Sequence, residues 1–219
     1  MRSTIGGEYV VTGANGYQIV LGDASYDAAE FQARLAVERV LRANGLRPFD
    51  VELLPTHGGS LRLFCAHQAS DHVETPALAA LRDREAKAGL GILATYGGFT
   101  ARVEAVRADF LKFLATARAE GKKVAAYGAS AKGNTFLNYC GVGTDDIVAS
   151  FDANPHKQDR FLPGSHIPIH APSKVAEIRP DYLVIMPWNL KDEIMGQLAY
   201  ISEWGGRFVT ASPDTRILD

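Results

Sequence analysis

Cysteine is nearly absent from this 219-residue chain; only Cys65 and Cys140 occur. They form no C-x-x-C pair and fall in separate predicted units. That argues against structural zinc and excludes a disulfide framework. Both read as small buried apolar residues. An excess of either charge is lacking too. Lys and Arg number 23 against 25 Asp and Glu, a formal net charge of -2. Nothing in that balance selects nucleic acid or an anionic membrane as partner. No apolar run approaches the roughly 20 residues that span a bilayer. The opening MRSTIGGEYVVTG lacks the apolar core of a secretory signal, so the expected compartment is cytoplasmic. There is no internal repeat and no low-complexity segment. What remains is an ordinary globular composition, 47% hydrophobic and 22% charged, sufficient for one large or two small domains.

The most informative stretch is KVAAYGASAKGNTFLNY, Lys123 to Tyr139. Val124 to Tyr127 reads as a buried strand that breaks at Gly128, and a helix begins within the next few residues. Strand, glycine turn and helix together aim backbone N–H groups and a positive dipole end at an anion. Against the dinucleotide fingerprint G-x-G-x-x-G, the residues are Gly128, Ser130 and Gly133. The middle glycine of that fingerprint lets the backbone approach a pyrophosphate closely. Ser130 keeps a hydroxyl there but adds bulk. A Walker A loop is excluded, because Lys132 precedes Gly133 rather than following it. The competing reading is a tight turn whose glycines serve packing. Asp152 ends the next apolar run about 20 residues on, where a carboxylate can accept from ribose hydroxyls. Aspartate at a strand end is also a common turn residue.

Along the rest of the chain, Glu8 to Leu21 holds two β-prone runs around the hairpin signal Asn15-Gly16. Asp27 to Asn44 reads as a helix, with Ala29, Ala33, Val37 and Val40 on one face and Phe31 and Leu35 on another. Phe49, Val51 and Leu53, then Leu61, Leu63 and Cys65, alternate with other residues and form an antiparallel pair. His57 in the loop between them is a ligand-facing or simply a solvated histidine. Gln68 to Val73 is a polar linker. Thr75-Pro76 starts a helix running to about Ala88. After Gly89, Gly91, Gly97 and Gly98, a long helix covers Thr100 to Glu120.

From there strands and helices alternate, which implies a parallel sheet. Strands are expected at Lys123–Tyr127, Ile147–Phe151, Tyr182–Met186 and Phe208–Ala211, with a short edge strand at Ile167–Ile169. Ser173 is the expected cap of a short helix. Asn189 and Asp192 have capping-box spacing for a helix over Leu190–Trp204. The fold class is therefore α/β. A C-terminal Rossmann-like parallel sheet with helices on both faces (residues 96–219) follows a smaller α+β unit with an antiparallel strand pair (residues 1–95). Ligands of such sheets bind beyond the carboxyl ends of the strands. The glycine loop, the Asp152–Lys157 loop and the Pro187–Asn189 turn meet there by prediction. Lys132, Lys157 and Arg160 supply positive charge, and Asn134, Asn154, Gln158 and Asn189 supply hydrogen bonds. Trp188 offers an aromatic face. Polar loops of this kind suit a nucleotide-like ligand.

The segments YGASAKGNTFLNYCGVGTD, DANPHKQDRFLPGSHIPI and PDYLVIMPWNLKDEI closely resemble the C-terminal domain of SAM-dependent sugar C-methyltransferases. Gly45 to His67 resembles the closing strands of the same family's methyltransferase domain. Those enzymes methylate a carbon of a deoxy-keto sugar carried on a nucleoside diphosphate. Their N-terminal zinc module and SAM domain precede a Rossmann-like domain. The resemblance implies that Gly128, Ser130, Lys132, Gly133, Asn134 and Thr135 hold the nucleotide diphosphate. Asp152, Asn154, Lys157, Trp188 and Asn189 then lie nearby.

The chain departs from that family upstream. It has no cysteine cluster for zinc and no acidic-glycine loop for SAM before Asp27. With the family's Ser-Tyr set on Ser25-Tyr26, Val20-Leu21-Gly22-Asp23 falls where the catalytic histidines stand. Abstracting a proton α to a ketone needs a positioned base, and a lone Asp23 is a weak one. The expectation is a truncated or degenerate C-methyltransferase that binds a nucleoside-diphosphate sugar but no cofactor by itself. SAM would come from an oligomer or partner chain. An NAD(P)-dependent oxidoreductase and a non-catalytic module partnering a full-length enzyme are the alternatives. The identity of the sugar and of the nucleotide is not encoded in these motifs.

Overall fold

A computed structural model describes residues 10–13, 16–21, 34–54 and 60–218. The chain divides into two compact units, Met1–Gly98 and Phe99–Asp219. In the first, β1 (Val10–Gly13), β2 (Gly16–Leu21), β3 (Leu46–Leu54) and β4 (Ser60–His67) form a sheet in the order β1-β2-β4-β3. Every pairing in it is antiparallel. Gly13 lies opposite Gly16 in the β1–β2 register, and Asn15 of the expected hairpin signal is outside the described residues. The period-2 pattern of β4 buries Leu61, Leu63 and Cys65 almost completely. They pack with Leu41 of α1 (Arg34–Ala43) and with Leu78 and Leu81 of α2 (Pro76–Lys87). Helix α2 starts as the sequence suggests: Pro76 occupies the first turn and Thr75 Oγ1 accepts from the Leu78 N–H. Asp27, Ala29, Phe31 and Ala33, with Asp23, Ser25, Tyr26 and His57, lie outside the described residues.

The second unit opens with α3 (Phe99–Ala119) and continues β5 (Val124–Tyr127), α4 (Ala131–Cys140), β6 (Ser150–Phe151), β7 (Arg160–Phe161) and β8 (Pro168–His170). It ends with α5 (Val175–Ile178), β9 (Tyr182–Ile185), α6 (Lys191–Gln197), β10 (Arg207–Thr210) and β11 (Arg216–Leu218). The sheet order is β11-β10-β9-β5-β6-β8-β7. The five central strands are parallel, and β7 and β11 pair antiparallel at the two edges. Parallel strands covered on both faces lose the polar alternation of exposed sheets. Accordingly, all four residues of β5 and of β9 are buried. One core joins Val124, Ala126 and Val184 to Phe110 and Leu114 of α3 and Leu137 of α4. The other joins Ala125, Leu183 and Ile185 to Val175 of α5 and to Ile194, Leu198 and Ile201. Both thiols act as apolar residues. Burial pushes Cys65 up to about 12 and Cys140 up to about 11.

Several local expectations need correction. The 168–170 strand is interior, because the hairpin partner β7 takes the edge. Ser173 caps nothing; Pro172 opens a 3-10 turn there, and Ala171 is its N-cap. The Asn189–Asp192 capping box does not form, since Trp188–Leu190 is itself a 3-10 turn. Leu190 is the N-cap of α6, with no side-chain cap, and Asp192 pairs with Lys191 instead. The expected helix over 190–204 is two pieces, α6 and a 3-10 run from Ala199 to Trp204. Strand β11 was not anticipated.

Candidate functional site

Numbered along the parallel strands, the sheet runs third, second, first, fourth, fifth: β8, β6, β5, β9, β10. The order reverses between β5 and β9, and ligands of doubly wound sheets bind at that reversal. Two of the three expected loops leave the sheet there.

After β5 the chain bends at Gly128, whose φ is +97°. A Cβ on Gly128 would stand 2.5 Å from Pro187 Cδ. A Cβ on Gly133 would stand 2.8 Å from Met186 Cβ. Both glycines therefore serve packing of the β5–α4 unit against the chain leaving β9. These are the turn and helix–strand packing roles of the first and third fingerprint glycines. The position reserved for close ligand approach carries Ser130. Its φ and ψ are -81° and 151°, and its Oγ accepts from the Gly133 N–H at 3.2 Å. Serine at an N-cap satisfies one orphan donor and still has its own O–H to donate. Helix α4 spans ten residues, long enough to direct a positive dipole end at this bend.

The loop after β6 is tied to the same bend. Asp152 is buried. Its Oδ2 accepts from the Ala129 N–H at 2.7 Å and from Lys157 Nζ at 3.1 Å. Its Oδ1 accepts from the Asn154 N–H at 2.8 Å. Lys157 Nζ also donates to the Ala129 carbonyl at 3.0 Å. Gln158 Nε2 donates to the Asp152 carbonyl at 2.9 Å. Asn154 Oδ1 accepts from the His156 N–H at 3.0 Å. On the other side, Lys132 Nζ sits 5.5 Å from the centre of the Trp188 ring, within cation–π range. Asn189 is half-buried beside Trp188.

The structure thus brings the three loops together through Ala129–Asp152, Gly128–Pro187 and Lys132–Trp188. Asn134 lies in the first turns of α4, and its Oδ1 is buried without a hydrogen-bond partner. Thr135 faces solvent and its hydroxyl donates back to the Ala131 carbonyl at 3.0 Å. Arg160 is exposed on β7, its Nε donating to the His156 carbonyl at 3.1 Å. Burial, reinforced by the Asp152 charge, pushes the Tyr127 phenol above its ordinary range. Sequence reasoning missed the parts played by Ala129, Met186 and Pro187. The signal that could have found them was the competing reading of Gly128 and Gly133 as packing glycines of a tight turn. Among the described residues no group of His, Cys, Asp and Glu could hold a metal ion. Among the same described residues, no helix is long and apolar enough to cross a membrane.

Fold and bend together define a Rossmann-like α/β domain in which the N-terminus of α4 lies where the strand order reverses. The sequence gives the family: residues 55–213 match the model of the C-methyltransferase C-terminal domain, and the chain belongs to that family. It is 38% identical over 179 residues to the C-methyltransferase NovU of Streptomyces niveus. That match covers 82% of this chain and 43% of the relative. The chain thus spans less than half the length of the curated relative it matches.

Proposed function

We propose that this chain is the sugar-nucleotide-binding portion of a SAM-dependent sugar C-methyltransferase-like protein. The bend between β5 and α4 takes the diphosphate. Ser130 and the first turn of α4, through Lys132, Gly133, Asn134 and Thr135, supply its donors. Lys157 and Asn154 flank it, and Trp188 and Asn189 border the nucleoside or sugar. The observation that carries this reading is the meeting of three loops at the strand-order reversal around a serine-capped helix start. Family membership makes a methyltransferase setting more fitting than a free-standing dehydrogenase.

The methyl donor is a separate matter. In the first unit, every pairing among the described strands is antiparallel. The carboxyl-edge crevice that holds a nucleoside cofactor in parallel sheets is therefore not among them. No methyl-transfer step is assigned to these residues. SAM would be held by other residues or by a partner chain. A cytoplasmic setting goes with this reading.

Calorimetric titration tests it with four probes: a nucleoside-diphosphate sugar, the free nucleoside diphosphate, SAM and NADH. Saturable binding of the first two with none of SAM is the expected result. Tight SAM binding without sugar-nucleotide binding overturns it, and saturable NADH binding favours a dehydrogenase.

A further inference from the structure

Dinucleotide-binding sheets place a carboxylate after the second strand to receive ribose hydroxyls, and Asp152 occupies that place. Its geometry here is different. Both carboxylate oxygens are already engaged from within the chain, Oδ2 by two donors and Oδ1 by one. The side chain is only 12% exposed. The Ala129 peptide beneath the bend is gripped at both ends. Its N–H goes to Asp152 and its carbonyl to Lys157. The preceding N–H, of Gly128, donates to the Phe151 carbonyl at 2.6 Å. The edge of β6 therefore holds the two residues just before the N-cap of α4. The φ and ψ of Ser130, and with them the aim of the helix start, are set from there.

We infer that Asp152 is a positioning residue: it clips the anion-binding bend through Ala129 and steers Lys157, and it does not contact the nucleotide's ribose. The inference rests on the nucleoside-diphosphate reading given above. It has an electrostatic side. A bare carboxylate under a diphosphate would repel it, and the Lys157 ammonium cancels that charge. An ammonium has three protons. Two are committed, to Asp152 and to the Ala129 carbonyl, and the third remains for a phosphate oxygen. A site without a free strand-end carboxylate has no device here for reading the 2′-hydroxyl. It accepts ribose and 2′-deoxyribose alike.

The test has two arms. In the first, a ribonucleoside diphosphate and its 2′-deoxy counterpart are titrated into the full chain and into the Asp152→Ala, Asp152→Asn and Lys157→Met variants. The wild type binds the two nucleotides within about twofold. Asp152→Ala and Lys157→Met each weaken both by the same factor, about ten- to a hundredfold, the range for charge-assisted hydrogen bonds. Combining Asp152→Ala with Lys157→Met weakens binding by less than the product of the two factors, because the residues act as a unit. A tenfold preference of the wild type for the ribonucleotide, erased by Asp152→Asn, would overturn the proposal.

The second arm needs no nucleotide. Amide hydrogen exchange at Ala129 is slow in the wild type and becomes fast in Asp152→Ala. If that variant does not fold, Asp152→Asn gives the same comparison, since it weakens the clip without removing the side chain. An Ala129 amide that stays protected in the folded variant sinks the clip. If the wild type binds neither nucleotide, the proposed ligand fails, while the exchange arm still decides what Asp152 does.

Discussion

The two ends of β5 carry the same parts and use them differently. At the amino end, Asp181 accepts from the Lys123 N–H at 2.8 Å and from Lys122 Nζ at 3.1 Å. At the carboxyl end, Asp152 accepts from the Ala129 N–H at 2.7 Å and from Lys157 Nζ at 3.1 Å. A glycine of positive φ stands at each end too, Gly121 at +67° and Gly128 at +97°. The surroundings differ. The Asp181 side chain is 38% exposed against 12% for Asp152. A Cβ on Gly121 would meet nothing within 4 Å, whereas one on Gly128 would collide with Pro187. One end is a solvated closure of the sheet, tolerant of change. The other is a crowded joint in which the Gly128 N–H and both backbone groups of Ala129 are held by neighbours. Ligands of such sheets use the carboxyl edge, and that is the edge built to narrow tolerances.

The sharpest way to break the comparison is to add a methyl at each glycine. Gly128→Ala should destabilise the domain by about 2–5 kcal/mol, combining positive-φ strain with overpacking against Pro187. Gly121→Ala meets only the strain and should lose about 1 kcal/mol. Urea denaturation of the two variants measures the gap, and equal losses would mean that the carboxyl end is no tighter than the amino end. The aspartates come next. Asp152→Ala leaves the Ala129 and Asn154 N–H groups without their acceptor and should cost about 2–4 kcal/mol. Asp181→Ala should cost under about 1 kcal/mol, as expected for a surface pair.

How much of this was legible beforehand depended on the range of the forces involved. The β5–α4 unit could be read because an apolar run, a glycine and a serine N-cap are local signals. The parallel sheet followed from the alternation of strands and helices, and the apolar run at Tyr182–Met186 marked one of its buried strands. The three-loop meeting followed from topology alone. What Asp152 does there was hidden, because its partner Ala129 is 23 residues away and a backbone N–H has no signature in sequence. Asn189 and Asp192 had the spacing of a capping box, but Pro187 at the close of β9 turns the chain into a 3-10 step first. Ile194, Leu198 and Ile201 have helical spacing and are all buried, yet the helix gives way to 3-10 geometry at Leu198 because the same face can be buried either way. Strand β11 is a three-residue run in a polar tail. Only pairing with β10 makes it a strand.

Ser130 offers a smaller test at the carboxyl end. Ser130→Ala removes the cap on Gly133 and should lower stability by about 1 kcal/mol, while Ser130→Gly should lose only a few tenths. Ligand binding should rank the variants in another order. Ser130→Gly restores the dinucleotide fingerprint but lacks the hydroxyl. If Ser130 donates to the diphosphate, both variants weaken nucleoside-diphosphate binding, by about five- to tenfold for one neutral-donor hydrogen bond to an anion. Titration of the two variants checks this, and an unchanged affinity in Ser130→Gly would confine the serine to capping.

The smallest effect belongs to the amino end and is visible only through pH. The Lys123 N–H is the first influence holding the Asp181 carboxyl below its ordinary value of 3.8, and Lys122 adds to it against partial desolvation. A carboxyl depressed by folding contributes stability that is complete above its unfolded value. That contribution is lost as pH falls through the folded value. Asp181→Asn should therefore be less stable than wild type by a constant amount, under about 1 kcal/mol, at all pH values above the ordinary carboxylate range. The two should converge as acid is added below 3.8. Salt should shrink the Lys122 part of the difference and leave the part due to the backbone N–H. Paired urea titrations at neutral and acid pH would show this. A deficit that persists unchanged below the folded titration would mean that Asp181 acts by packing. The two ends of β5 would then no longer share one device.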